Sequence, residues 1–237
     1  MKAPEDYTPR GTEISLDNDL PAYVVGDSRE KAIIVFPEVF CWEGRLKGIC
    51  DTFAEQGYYV IMPDIMRGDS MTNHSESEDT KIAFLGVWAQ WPRIENDCQN
   101  VFRHITERGI ARIGSVGFCW GAWVIFRSSA LGLPLTAGAG CHPSLRLECF
   151  TGGSVEALTN SVKCPMSLAS ARNDPENVQA GGEVENILKS IFPSSEVHSY
   201  PEVDHGWVTR GDLTDEVVAK GVKDALAQVS AFFQAHL

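Results

Sequence analysis

Gly117-Phe118-Cys119-Trp120-Gly121 sets a side chain up to attack, because it puts a thiol in a sharp turn between two glycines. Residues 111–116 ahead of it form a short, partly β-branched run and predict a buried strand. Residues 120–130 behind it are helix formers and bulky apolar residues, and predict a helix. Strand, tight turn and helix, with Gly two before and two after the central residue, make a nucleophile elbow with Cys in the position of Ser. The small neighbours relieve crowding, and the helix N-terminus favours negative charge, which lowers a thiol pKa and helps to hold an oxyanion. Taken alone, the same five residues also read as a buried structural cysteine in a Gly-rich turn.

A thiol nucleophile needs a base and an acid to orient that base, brought together in space rather than in sequence. On an elbow of this kind they follow in the order nucleophile, acid, histidine, each on a loop after a strand. Residues 165–171 predict a strand and are followed by the turn Arg172-Asn173-Asp174-Pro175. Residues 195–200 predict the next strand, and Asp204-His205-Gly206-Trp207 follows it. By itself Asp174 is a turn residue or a cap before Pro175, and a lone loop histidine is structural or solvated. In this order Cys119, Asp174 and His205 read as a catalytic triad.

The elements that must position them alternate strand with helix. Residues 11–26 predict a hairpin turning at Asp17-Asn18-Asp19, residues 32–36, 58–62 and 135–140 core strands, and residues 44–56 a helix. Trp91-Pro92 opens a helix to residue 107; residues 177–191 and 214–233 predict two more, the last with Val218, Val222, Ala225 and Val229 on one face. Such alternation predicts one α/β domain over residues 1–237, with a mostly parallel sheet and helices on both faces. Residues 70–80 are polar and acidic and predict an exposed loop beside the site; Phe84, Trp88 and Trp91 read as a lid or as core packing.

The motifs also carry a resemblance. In Phe36-Pro37-Glu38-Val39-Phe40, Met62-Pro63-Asp64, Arg67-Gly68-Asp69, the cysteine elbow, Asn173-Asp174 and His205-Gly206 with Arg210-Gly211-Asp212, the chain resembles the dienelactone hydrolases. These are the carboxymethylenebutenolidase-like branch of the α/β-hydrolases, and the spellings are closer to eukaryotic relatives than to bacterial catabolic enzymes. The likeness runs from about residue 32 to the C-terminus and departs from the family at Ala122, where a second Gly is usual. It implies an α/β-hydrolase fold and a role for Glu38, a carboxylate that contacts the resting thiol until substrate displaces it; by itself Glu38 reads as a solvated loop residue. It implies the backbone N–H groups of Val39 and Trp120 as an oxyanion hole. It matches Arg67 and Arg210 to positions where the family holds a substrate carboxylate, a task suited to a planar guanidinium. Without it they read as surface ion pairs with Asp69 and Asp212. His142, in Gly140-Cys141-His142-Pro143, either borders the substrate pocket or is a satisfied histidine at a strand end.

Composition narrows the function classes. A net charge of −12 offers no footprint for nucleic acid or an anionic membrane, so an anionic substrate is attracted only locally. Residues 1–6 lack the apolar core of a signal peptide, and the uncharged stretch 113–126 is too short to span a bilayer. Seven cysteines without metal-ligand spacing argue against a disulfide framework or a zinc site, and point to a cytoplasmic protein, with an organelle left open. The expectation is a cysteine-dependent hydrolase of a small lactone or ester, working through an acyl-enzyme without metal or organic cofactor, as monomer or homodimer. A thioesterase or general carboxylesterase would use the same triad. A cysteine redox sensor or a non-catalytic binding scaffold are the readings from other classes.

Overall fold

The computed structural model describes residues 7–75 and 77–237. The N-terminal residues 1–6 and Glu76, within the expected acidic loop, lie outside them. The chain opens with Thr12–Leu16 (β1) and Leu20–Val25 (β2), an antiparallel pair that reverses at Asp17–Asp19, where Asn18 and Asp19 take positive φ. Then follow Lys31–Phe36 (β3), Leu46–Glu55 (α1), Tyr59–Pro63 (β4), Glu78–Trp88 (α2) and Trp91–Glu107 (α3). The elbow lies between Arg112–Phe118 (β5) and Trp120–Ala130 (α4). Ala137–Cys141 (β6), Val155–Ser161 (α5), Met166–Ala171 (β7), Glu183–Ile191 (α6), Glu196–Tyr200 (β8), Trp207–Arg210 (α7) and Glu216–His236 (α8) complete the order.

One sheet of eight strands runs β1-β2-β4-β3-β5-β6-β7-β8, parallel from β4 to β8 and antiparallel where β1, β2 and β4 meet. Side-chain alternation along β3 explains how it is covered. Ala32, Ile34 and Phe36 enter one apolar cluster with residues of α2 to α6, whereas Ile33 and Val35 enter another with α1, α7 and α8. Val222, Ala225 and Val229 of α8 are buried in the second cluster, with Val218 packed at its margin. The α/β-hydrolase arrangement therefore follows from apolar strands that need helices on both sides.

Two local expectations are corrected, and of the two readings of Phe84, Trp88 and Trp91 the core packing holds. Residues 70–80 are not one exposed loop: Ser70 and Met71 are buried, and Ser70 Oγ and Thr72 Oγ1 donate to the Glu43 carboxylate at 2.6 and 2.9 Å. The segment then enters α2, where the Ser77 hydroxyl accepts from the Thr80 N–H. The helix expected from residue 177 begins only at Glu183, because Gly181 takes a left-handed φ of 79° and interrupts the run. Phe84, Trp88 and Trp91 are core residues, and the Trp120 indole N–H donates to the Trp88 carbonyl at 2.7 Å.

Candidate active site

The candidate groups follow the parallel strands, at their carboxyl ends: Glu38 after β3, Arg67 after β4, Cys119 after β5, His142 after β6, Asp174 after β7 and His205 after β8. Open α/β sheets place their ligand sites along that edge. Cys119 sits just before α4 with φ 51° and ψ −110°. A non-glycine residue holds such a conformation only where its surroundings over-determine it. Here the determinants are backbone approaches: a Cβ at Gly117 would come within 2.3 Å of the Gly121 carbonyl, and one at Gly121 within 2.3 Å of Phe36 O. The glycines of the elbow are a packing requirement, and the Cys119 side chain is left half-buried.

Across the edge, His205 Nδ1 lies 2.6 Å from Asp174 Oδ1. The second oxygen, Asp174 Oδ2, accepts the Ala171 N–H at 2.7 Å, and the His205 N–H donates to Asn173 Oδ1 at 2.7 Å, so the carboxylate and the histidine loop are both fixed. Burial alone lowers the His205 pKa, but the charge and hydrogen bond of Cys119, with those of Asp174, outweigh it and push the imidazole up to about 10. The imidazole therefore holds its proton at neutral pH.

Glu38 is almost fully buried, and it does not meet the thiol. Its Oε1 accepts from the Thr209 hydroxyl and, at 2.9 Å, from Arg210 Nε, while Oε2 has no partner among the described residues. The Cys119 sulfur instead has the Ser144 hydroxyl at 3.3 Å. Arg210 stacks over Phe40, its Cζ 4.1 Å from the ring centroid, and lies across Gly206 beside His205. Its partner is Glu38 rather than Asp212. The Val39 and Trp120 amides donate to no protein acceptor among the described residues.

Two expected substrate contacts lie elsewhere. Arg67 forms a two-toothed pair with the buried Asp97, at 2.7 and 2.9 Å, and also donates to Ile65 O, so its fork is already filled. Asp69, which the spacing suggested as its partner, takes His74 and the Trp88 indole instead. We expect Arg67→Ala to cost about 3 kcal/mol of stability, since Asp97 would be left buried without its cation. Denaturant unfolding measures this; a variant with parent stability would contradict it. His142 has no exposed surface, so it borders no substrate, and neither ring nitrogen has a partner among the described residues; its ring packs edge-on against His205 (4.9 Å) and Trp207 (5.3 Å). Burial, then the charges of His205 and Arg210, hold it well below the ordinary histidine range. It is a neutral wall behind His205.

Sequence reading passed over three polar residues here. Thr209 is fully buried and anchors Glu38, Ser144 meets the sulfur, and Arg146 lies in a cleft of about 360 Å³ lined also by Ser144, Asn173, Asp174 and His205. That volume suits a small ligand. Arg146 makes no ion pair among the described residues. Ser144 and Arg146 follow the motif Cys141-His142-Pro143, the only signal that marked this loop.

Comparison with known proteins gives the family. The model of the dienelactone hydrolase family matches residues 20–237. The chain belongs to the dienelactone hydrolase family. Membership makes it a hydrolase acting on ester bonds. Among relatives, it is 26% identical to an uncharacterized AIM2 family protein of Schizosaccharomyces pombe, over 97% of this chain and 93% of that one. It is 25% identical to Hydrolase tropI of Talaromyces stipitatus, over 97% and 91%. In fold it matches the crystal structure of a putative dienelactone hydrolase from Klebsiella pneumoniae, with a TM-score of 0.71 and 18% identity over 94% of this chain and 98% of that one. Among the described residues, no helix of this family member is long and apolar enough to cross a membrane.

Proposed function

We propose that this family member hydrolyses a small lactone or ester through an acyl-enzyme on Cys119, with His205 and Asp174 completing a catalytic triad. The observation that carries this reading is the strained thiol at the head of α4 coupled in charge to an imidazole that has a carboxylate 2.6 Å behind it. The thiolate attacks the carbonyl carbon, and the oxyanion takes the N–H groups of Val39 and Trp120, which have no other acceptor among the described residues. Collapse breaks the bond to the leaving alkoxide or enolate, which His205 protonates. The sulfur is now a neutral thioester, so its charge and hydrogen bond no longer raise the His205 pKa, while burial still lowers it. The imidazole then takes a proton from water, hydroxide attacks the thioester, and the thiolate leaves. Asp174 fixes the tautomer and stabilises the cation throughout.

In this reading Glu38 acts through Arg210, which it holds beside His205, rather than on the resting thiol. The Arg210 fork keeps donors with no protein partner among the described residues, and Arg146 faces the cleft from the other loop. A carboxylate on the substrate fits that pair of cations better than it fits Arg67. Arg210→Ala is therefore expected to raise KM about tenfold or more for carboxylate-bearing esters, the loss of one charge-assisted hydrogen bond, and to leave neutral esters nearly unaffected. Equal effects on both would make Arg210 structural.

A thioester would be accepted by the same chemistry. A redox role is less well supported: burial pushes Cys98 and Cys141 up to about 12 and Cys164 to about 11, which suits none of them as a resolving thiol. Seven free cysteines also fit a reducing compartment such as the cytoplasm. Turnover of a p-nitrophenyl ester, abolished by iodoacetamide, is the test; peroxide consumption without ester turnover would favour the redox reading.

A further inference from the structure

The loop after β6 is bonded to the elbow by its backbone. Cys119 N donates to Cys141 O and Ser144 N donates to Cys119 O, each at 3.1 Å, which leaves Ser144 Oγ 3.3 Å from Cys119 Sγ. Ser144 also stands at the N-cap of the short 3-10 helix Leu145–Thr151, a position where serine usually turns its hydroxyl onto the helix N–H groups. Ser70, Ser77 and Ser154 do so at the heads of their own helices. Ser144 does not. Its hydroxyl gives up the cap and faces the sulfur.

We propose that Ser144 is a further catalytic residue, whose hydroxyl donates to the Cys119 sulfur as it becomes the attacking thiolate and receives it again as the acyl group leaves. The proposal rests on Cys119 being the nucleophile. In the attacking thiolate the sulfur has no proton to give, so the hydroxyl is then the donor. An O–H···S⁻ bond favours the charged form. When the thiolate attacks, its electron pair goes into the C–S bond and the hydrogen bond weakens. When that bond breaks in deacylation, the pair returns to sulfur and the hydroxyl meets it again. Ser144 neither gains nor loses a proton.

The other groups around the pair are His205 with Asp174 behind it, the neutral His142, the Glu38–Arg210 pair, and Arg146 in the cleft. Ser144→Ala changes none of these charges. Alkylation of Cys119 by iodoacetamide, followed by peptide mass against pH, tests the role in the wild type, Ser144→Ala and Ser144→Thr. We expect the pH of half-maximal alkylation to rise by about one unit in Ser144→Ala, the measure of one charged hydrogen bond, and to stay near the parent in Ser144→Thr. Turnover of a neutral ester should fall about tenfold in kcat, with KM held, in the alanine variant alone. An unmoved profile in Ser144→Ala overturns the proposal, as does a threonine variant that shifts equally. Slower turnover with an unmoved profile also overturns it, by assigning the hydroxyl to the substrate. If wild-type Cys119 reacts no faster than the exposed Cys149, the nucleophile itself is lost, a failure read from the parent protein alone.

Discussion

Cys119→Ala is expected to lower kcat/KM for ester hydrolysis by about a thousandfold or more, because removal of a nucleophile takes away the covalent path and leaves only binding and the oxyanion donors. Circular dichroism should be unchanged and the melting temperature close to the parent's. The elbow is held by the glycine contacts and by backbone bonds from Cys119 to Cys141 and Ser144, all of which survive the change. Cys119→Ser should be weakly active at best, since a hydroxyl needs a stronger base than a thiol in the same place and cannot form the charged pair that raises His205. Activity within about tenfold of the parent in Cys119→Ala would move the chemistry to another residue.

The second large effect concerns His205 and Asp174. His205→Ala should cost about 10²–10⁴ in kcat, the usual worth of a positioned acid and base. It should also slow alkylation of Cys119 at neutral pH, because the cation that stabilises the thiolate is gone. Asp174→Asn keeps the shape and an oxygen for the Ala171 N–H, yet it removes the charge that helps to raise the imidazole and leaves an amide N–H able to face Nδ1. Its loss should therefore appear in kcat more than in stability. Combined with Cys119→Ala, either change should add little, because residues that act as a unit are not additive. Fully multiplicative losses in kcat/KM would show that the two serve folding or binding instead.

Much of this was legible in the sequence, for physical reasons that differ by residue. Strands β3, β5 and β7 announce themselves as short apolar runs closed by Pro37, by the glycine elbow and by the Asn173-Asp174-Pro175 turn. Cys119, Asp174 and His205 were legible because each follows such a strand, and the parallel sheet then brings them to one edge. Partner choice was not legible. Arg67 has Asp69 two residues away, but its guanidinium reaches Asp97 on α3, thirty residues on, since a buried carboxylate needs a cation more than an exposed one does. Glu38 and Thr209 are 171 residues apart, and nothing in either local sequence reports that the short helix α7 lays one against the other. The break at Gly181 was missed although Gly181-Gly182 is a breaker pair, because Gln179-Ala180 before it and Glu183-Val184 after it continue the helical run; the left-handed φ of Gly181 shows that the chain turns there. His142 fits neither of its two readings, because its ring turns inward beneath His205 and its nitrogens find no partner among the described residues.

The most direct test of the acyl-enzyme is to trap it. Protein mixed with an activated ester and quenched in acid should carry the acyl mass on the peptide that contains Cys119, as a thioester released by hydroxylamine. The adduct should accumulate in Asp174→Asn, where activation of water is slowed, and should be absent from Cys119→Ala. Turnover of the ester with no adduct on that peptide, or with the acyl group on any other residue, would contradict a Cys119 nucleophile.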